Sequence, residues 1–226
     1  MPLYVSHIRA ICFDVDGTLS DTDDQMVTQF VNYLRPVNFL FRKQAPPLVA
    51  RRMVMSLESP ANFLMGIPDI LGLDEPAARL FSGINRTIWR RRRKNFLLVS
   101  GVKEMLQNLS QRYPLAVVSA RDAISTYTFL EQYNLVPFFK CIATAQTCLH
   151  TKPFPDPILW AARQMEVPPE VCLMVGDTSV DMRAGRAAGA QKVGVLCGFG
   201  ERTELQKYGA DLILSTTSEL TQILEE

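Results

Sequence analysis

Two aspartates stand one residue apart at the end of an apolar run. Asp14 and Asp16, in the stretch DVDGTLSDT, follow the run IRAICF (8–13) and come directly before a glycine. Residues two apart on an extended chain point to the same side, so both carboxylates can face one site. The simplest alternative is a strand that runs into an Asp-Gly turn, since this pair is common in turns.

A second acidic pair repeats this arrangement later in the chain. In GDTSVDM (176–182), Asp177 and Asp181 follow another apolar run and a glycine. The spacing of four predicts that Asp181 lies one helical turn beyond the loop. Ordinary helix capping by Asp177 or Thr178 is the alternative. Four carboxylates at adjacent strand ends would repel one another without a cation, and oxygen ligands with no histidine nearby favour Mg²⁺ over Zn²⁺.

Two further residues could bind an anion. Ser119, in LAVVSAR, ends a third apolar run, and the backbone N–H groups after it are expected to be free at a helix start. A serine N-cap is the alternative there. Lys152, in HTKPFPDP, is held in an extended loop by three prolines, although a lone lysine is usually solvated surface. A fixed lysine and a helix start together could balance the charge of a phosphoryl group.

The elements that must position these residues alternate between strand and helix. Short, nearly continuous apolar runs predict strands that are covered on both faces. Helix-like stretches separate them, which predicts a doubly wound parallel sheet. Ligands of such sheets bind beyond the carboxyl ends of the strands, where Asp14, Ser119 and Asp177 stand. The strand runs are 8–13, 115–119, 171–176, 192–196 and 210–214, with a minor one at 141–145, and the helical stretches are 102–113, 123–134, 156–166 and 181–190.

The interval from 20 to 98 does not follow this alternation. It is punctuated by prolines, and Ser59-Pro60 is typical of a helix start. Residues 25–97 contain twelve basic and four acidic side chains, so the rest of the chain is net acidic. A basic, helical insert beside an acidic core would suit an anionic ligand between them. Candidate arginines for such a contact are Arg51, Arg52 and Arg90.

The ordered motifs DVDGT, VVSA, KP and GDTSVDMRAGRAAGA resemble those of the haloacid dehalogenase superfamily, in its phosphatase branch. KPFPDPILWAARQM and the AGRAAGA helix are most similar to the phosphoglycolate phosphatase-like group, which carries a helical cap after its first motif. The resemblance implies an α/β fold, a Rossmann-like doubly wound parallel sheet with an inserted α-helical cap. Residues 1–19 and 99–226 would form the catalytic core and residues 20–98 the cap.

The resemblance also implies catalytic and metal-binding roles. Asp14 would attack phosphorus and form an aspartyl-phosphate. Asp16 would protonate the leaving group and then deprotonate the water that hydrolyses the intermediate. Asp14, the backbone carbonyl of Asp16 and Asp177 would hold Mg²⁺, with Asp181 supporting the metal directly or through water.

Three residues are implied as phosphate ligands. Ser119, the neighbouring Ala120 amide and Lys152 would stabilise charge on the phosphoryl oxygens. Ala120 departs from the family pattern, in which asparagine often follows the serine or threonine of the second motif. This departure affects the expected substrate specificity more than the phosphate site.

These features together predict a Mg²⁺-dependent phosphomonoester hydrolase that acts on a small phosphorylated metabolite, in the manner of phosphoglycolate phosphatase. Asp16 argues against dehalogenases, which generally lack this second aspartate, and against phosphonate-cleaving relatives, which usually carry alanine there. A phosphosugar mutase of the same fold is one alternative. A non-catalytic phosphoacceptor or regulatory protein is another, although Asp16 favours turnover. Phosphoglycolate, sugar phosphates and nucleotides all stay open as substrates.

Composition narrows the partners and the location. The net charge of the 226 residues is +1, which gives no global field for nucleic acid. No apolar run reaches the roughly 18 residues of a membrane span, and the N-terminal stretch shows no signal-peptide pattern. Five cysteines without a CxxC spacing are expected to be reduced, so a cytoplasmic location is predicted. Oligomeric state is left open.

Overall fold

A computed structural model describes residues 3–21 and 96–225. Most of the predicted cap at 20–98, including Arg51, Arg52 and Arg90, therefore lies outside the described residues. The division into core and cap stays a prediction.

Within the described ranges, six strands form one sheet in which every neighbouring pair is parallel. Each of the six apolar runs coincides with a strand, although β5 begins one residue before its run, and the doubly wound parallel fold is confirmed. The strands are β1 (Ala10–Phe13), β2 (Leu115–Val118), β3 (Cys141–Ala143), β4 (Cys172–Gly176), β5 (Gln191–Val195) and β6 (Leu212–Leu214).

The strand order brings the predicted site residues to one edge. The order is β3-β2-β1-β4-β5-β6, so β1 lies between β2 and β4, and the direction of winding changes at β1. Phe13, the last residue of β1, is level with Val117 of β2 and Val175 of β4. The chain therefore emerges from these three strands side by side, which is where ligands bind in folds of this kind.

Helices cover both faces of this sheet. They are α1 (Val102–Leu109), α2 (Ala123–Gln132), α3 (Asp156–Gln164), α4 (Ser179–Ala188), α5 (Arg202–Lys207) and α6 (Leu220–Glu225). The four predicted helical stretches are confirmed, although all four of them end two to four residues earlier than expected. The two six-residue helices α5 and α6 were not predicted.

Successive residues of each strand enter different cores, because strand side chains alternate between faces. Ile11 and Phe13 lie in an aliphatic and aromatic core with residues of α1, α2 and α6. Ala10 and Cys12 lie in a core with residues of α3 and α4 that is rich in alanine. The small side chains let those two helices pack close to the sheet. All five cysteines are free thiols, as predicted.

The described chain leaves the sheet after β1 and returns to it before α1 at adjacent positions. Ser20 and Leu98 form an antiparallel bridge. The Asp21 N–H donates to the Leu97 carbonyl at 2.8 Å, and the Val99 N–H donates to the Leu19 carbonyl at 3.0 Å. In the part of the chain that the structure describes, no helix is long and apolar enough to cross a membrane.

Candidate active site

Asp14 is the first residue beyond β1 and lies among acidic side chains. Its backbone N–H donates to the Val175 carbonyl at 2.9 Å, which continues the pairing of β1 with β4 and fixes its position. The residue is only 7% exposed. One oxygen of Asp14, one of Asp177 and one of Asp181 all lie within 4.8 Å of one another. The predicted meeting of these three carboxylates is therefore observed.

Asp177 is fully buried and held from two directions. The Phe199 N–H donates to its Oδ2 at 2.8 Å, and the Thr18 hydroxyl donates to its Oδ1 at 3.3 Å. A Cβ atom on Gly17 would lie 2.3 Å from Asp177 Oδ2, and one on Gly198 would lie 2.1 Å from it. Both glycines are therefore required for the approach to this carboxylate. The loop after β5 that supplies Gly198 and Phe199 was missed by the sequence analysis, because its contact is made by backbone.

Asp181 caps a helix and also belongs to the acidic cluster. Thr178 is the N-cap of α4, and its N–H and hydroxyl donate to Asp181 Oδ2 at 3.1 and 2.8 Å. The other oxygen, Oδ1, accepts from Lys152 Nζ at 2.6 Å. The alternative interpretation, helix capping, is thus correct for Thr178. It does not exclude the other prediction, since Asp181 also lies in the acidic cluster. Both oxygens of Asp181 have protein partners, which favours a supporting role.

Lys152 lies between two carboxylates and is 4% exposed, so the surface alternative is wrong. Its Nζ is 2.7 Å from Asp14 Oδ1 and 2.6 Å from Asp181 Oδ1. Burial by itself would lower the pKa of Lys152, but attraction to Asp14 and Asp181 outweighs burial and raises that pKa. The lysine is therefore a permanent cation in the site.

The raised pKa of Asp14 indicates that the positive charge of Lys152 alone does not balance the negative charges of the acidic cluster. Burial raises the pKa of Asp14 to about 7; repulsion from Asp181 and Asp16 adds to the rise, and Lys152 opposes it. A carboxylate that is hard to ionise beside three other acids lacks positive charge in its surroundings. The clustered oxygens of Asp14, Asp177 and Asp181 fit a divalent cation that prefers hard oxygen ligands, which would supply that charge.

Ser119 follows β2 at the same edge and is 3% exposed. Its hydroxyl oxygen accepts from the Arg121 N–H at 3.1 Å. Helix α2 begins at Ala123, and its N-cap is Asp122, whose Oδ1 accepts from the Ser125 N–H at 3.0 Å. The serine N-cap alternative is therefore wrong. The expectation that all the amides after Ser119 are free is also wrong, because the amide of Arg121 is bonded. Ala120, between them, is exposed.

Asp16 pairs with Arg121, a residue that the sequence analysis did not single out. The Arg121 Nη2 group donates to Asp16 Oδ1, and the two side chains are 10% and 32% exposed. The guanidinium also stacks on Phe96, with its Cζ 4.7 Å from the ring centre. Arg121 directly follows the VVSA motif, and this adjacency was the only available signal. Asp16 thus stands beside the three-carboxylate cluster, linked to the loop after β2.

Relatives of known name match this chain, one of them over nearly its whole length. A pyrophosphatase PpaX of Anoxybacillus flavithermus is 29% identical over 220 residues, which cover 96% of this chain and 97% of the relative. A phosphoglycolate phosphatase of Nitrosococcus oceani is 31% identical over 130 residues, 57% of this chain and 58% of the relative. A solved structure of a hydrolase from Pseudomonas syringae, 24% identical, covers 96% of this chain and 98% of its own with a TM-score of 0.68, which bears on the fold.

The match to a family is equally broad. Residues 11–195 match the model of the haloacid dehalogenase-like hydrolases, and these residues include Asp14, Lys152 and Asp181. The predicted assignment to an enzyme of haloacid dehalogenase-like phosphatase type is confirmed at the level of the family. The chain belongs to the haloacid dehalogenase-like hydrolases.

Proposed function

We propose that this chain is a Mg²⁺-dependent hydrolase of small phosphomonoesters that works through an aspartyl-phosphate on Asp14. The observation that carries the proposal is the buried contact of Lys152 Nζ with Asp14 Oδ1 at 2.7 Å, within a cluster of three carboxylates. A nucleophilic carboxylate needs cations around it to accept a phosphoryl group that is itself anionic. Lys152 supplies one such charge, and the cluster can hold another.

In the first half of the reaction, Asp14 attacks the phosphorus atom. Lys152 binds one of its carboxylate oxygens, so the other oxygen forms the new O–P bond while the bond to the leaving-group oxygen breaks. Asp16, as the carboxylic acid, gives its proton to that leaving oxygen. The leaving group departs as a neutral alcohol group and Asp16 becomes a carboxylate.

In the second half, a water molecule attacks the same phosphorus. Asp16 takes a proton from this water, the Asp14–phosphorus bond breaks, and inorganic phosphate is released. Lys152, Ser119 and the Ala120 amide would bind the phosphoryl oxygens throughout. Mg²⁺ would be held by Asp14, the Asp16 carbonyl and Asp177, and it would neutralise charge on the phosphoryl group. Asp181 would support the site by orienting Lys152.

The class of substrate is supported by the named relatives. The proteins called pyrophosphatase PpaX and phosphoglycolate phosphatase are named for substrates that are small phosphorylated compounds. In both cases the chemistry would begin with transfer of one phosphoryl group to an acceptor such as Asp14. A small phosphorylated metabolite, with phosphoglycolate as the first compound to test, is the substrate class that we propose.

The test replaces Asp14 by asparagine and measures hydrolysis of p-nitrophenyl phosphate with Mg²⁺ or with EDTA. We expect Asp14→Asn to abolish phosphate release while circular dichroism stays that of the parent protein. Asp156→Asn is the matched control, because Asp156 binds His150 at 3.1 Å and lies outside the three-carboxylate cluster. In the same series, Asp16→Ala should accumulate phosphoprotein that mass spectrometry assigns to Asp14. Full turnover by Asp14→Asn, or equal turnover in EDTA, would contradict the proposal.

A further inference from the structure

Arg121 has hydrogen-bonding capacity that the described protein does not use. Its side chain is 10% exposed, and Nη2 binds Asp16. The second terminal nitrogen, Nη1, is buried and has no hydrogen-bond partner among the described residues. A buried donor without an acceptor is costly, and in native proteins it usually marks the place of a water, an ion or a ligand.

The guanidinium is held firmly in this position. Its plane stacks against Phe96, and its own backbone N–H donates to Ser119. The guanidinium is therefore fixed at two points, the ring and the Asp16 carboxylate, and the backbone of Arg121 is fixed at the serine hydroxyl. A side chain that is fixed before binding loses little conformational entropy when it contacts a ligand.

The contact with Asp16 says which part of a substrate Arg121 would meet. If Asp16 protonates the leaving-group oxygen, as the proposed function requires, then a group bonded to Asp16 lies beside the leaving group. The transferring phosphoryl group is bound instead at Asp14, Ser119 and Lys152. Arginine is a permanent cation whose planar fork matches carboxylate and phosphate oxygens.

We infer that Arg121 binds an anionic group on the leaving-group side of the substrate. This inference rests on the proposed function and selects, among small phosphorylated compounds, those that carry a second negative charge close to the scissile bond. That charge can come from a carboxylate, as in phosphorylated hydroxy acids, or from a second phosphate, as in pyrophosphate. Esters with a neutral leaving group would leave Nη1 of Arg121 without an acceptor.

The test compares substrates that differ only in this second group. Phosphoglycolate carries a carboxylate where 2-hydroxyethyl phosphate carries a neutral alcohol, and pyrophosphate supplies the phosphate arm. We expect the parent protein to prefer the anionic compounds, and we expect Arg121→Met to lower the ratio of kcat/KM for anionic over neutral substrate by about 10- to 100-fold, as loss of a charged hydrogen bond would. The ratio for Arg121→Lys should lie between those of the parent protein and Arg121→Met, because lysine keeps the positive charge and lacks the planar fork of the guanidinium.

The ratio of kcat/KM for anionic over neutral substrate separates two effects of changing Arg121: a slower reaction because Asp16 is misplaced, and weaker recognition of the anionic group. Removing the partner of Asp16 can slow both substrates, but only a direct contact changes their ratio. Arg112→Met is the matched control, since Arg112 also stacks on a ring, that of Tyr113, and precedes β2 at the opposite edge of the sheet. It should leave the ratio at the parent value, and thermal unfolding checks that each variant is folded.

Binding without turnover gives a second readout. In the Asp14→Asn background, calorimetry should show that Arg121→Met weakens phosphoglycolate more than 2-hydroxyethyl phosphate. A ratio that stays the same in both assays would overturn the inference and leave Arg121 as a residue that only positions Asp16. Parent protein that hydrolyses no phosphate ester at all would refute the proposed function instead. A ratio change with phosphoglycolate alone, or with pyrophosphate alone, identifies which anion Arg121 accepts.

Discussion

Replacing Lys152 by methionine tests the charge balance of the site most directly. The ammonium group lies 2.7 Å from Asp14 Oδ1 and 2.6 Å from Asp181 Oδ1, and its side chain is 3% exposed. Methionine has a similar length and no charge, so the variant leaves two buried carboxylates facing each other. Removing one partner of a buried ion pair costs about 3–5 kcal/mol. For a chain of this size, each kcal/mol lowers Tm by about 2–4 °C, so Lys152→Met should lose about 6–20 °C in EDTA.

Mg²⁺ should recover part of this loss. A divalent cation held by Asp14 and Asp177 would replace the missing positive charge, so adding Mg²⁺ should raise the Tm of Lys152→Met by more than that of the parent protein. Differential scanning calorimetry of the whole chain, in EDTA and then in excess Mg²⁺, measures both quantities. A second change, Lys152→Met with Asp181→Asn, should be less destabilised than Lys152→Met alone, because it removes one of the unpaired charges.

The chain offers a matched control for this experiment. Lys192 is also buried and pairs with a carboxylate, Asp211 Oδ2 at 2.9 Å, but it lies near the start of β5, at the edge opposite the site. Lys192→Met should be destabilised in a similar way, and Mg²⁺ should give it no additional recovery. If Lys152→Met loses less than about 1 kcal/mol, or if Mg²⁺ recovers both variants equally, then Lys152 does not balance the acidic cluster.

Two further predictions concern the carboxylate cluster. Gly17→Ala should weaken Mg²⁺ binding, measured by calorimetry, at least tenfold, because its Cβ would lie 2.3 Å from Asp177 Oδ2. Gly209 is the control, since it has a similar positive φ and its Cβ would have no atom within 4 Å; Gly209→Ala should cost only about 1–2 kcal/mol of backbone strain and leave the metal affinity unchanged. Equal Mg²⁺ affinities of the two variants would refute the steric argument. Since burial raises the pKa of Asp14 to about 7, Mg²⁺ must displace a proton in acid, so its affinity should fall about 30-fold from pH 8 to pH 5.5. Asp14→Asn should show a much smaller change, and a parent affinity that is flat with pH would contradict the raised pKa.

The sheet was predictable because each strand coincides with a short apolar run in the sequence. Burial on both faces demands such runs, and all six are found in the order of the sequence. The site was largely predictable for the same reason, because Asp14, Ser119 and Asp177 each follow a strand that ends at one edge. What the runs do not encode is which strands are neighbours, so the adjacency of β1 to both β2 and β4 is known only from the structure.

The unpredicted features depend on contacts without a local pattern. Arg121 and Asp16 are 105 residues apart, and no periodicity links them. The N–H of Phe199 that binds Asp177 is a backbone group, which any residue type could supply. Helix α5 buries only Leu205, too little for an amphipathic signal. The sequence analysis considered Ser119 as an N-cap and did not consider Asp122, which is the N-cap of α2; serine and aspartate are both good caps, so residue type alone does not decide.

The backbone pairing of Leu19 with Val99 has a consequence for how this protein can change over evolutionary time. Neighbouring backbone hydrogen bonds join the two ends of the segment 22–95. The geometry of the sheet therefore does not depend on how many residues lie between these ends. Each doubling of that stretch would cost only about 0.6 kcal/mol of closure entropy. Insertions, deletions or wholesale exchange between 22 and 95 can therefore accumulate while the chemistry at the sheet's edge stays constant.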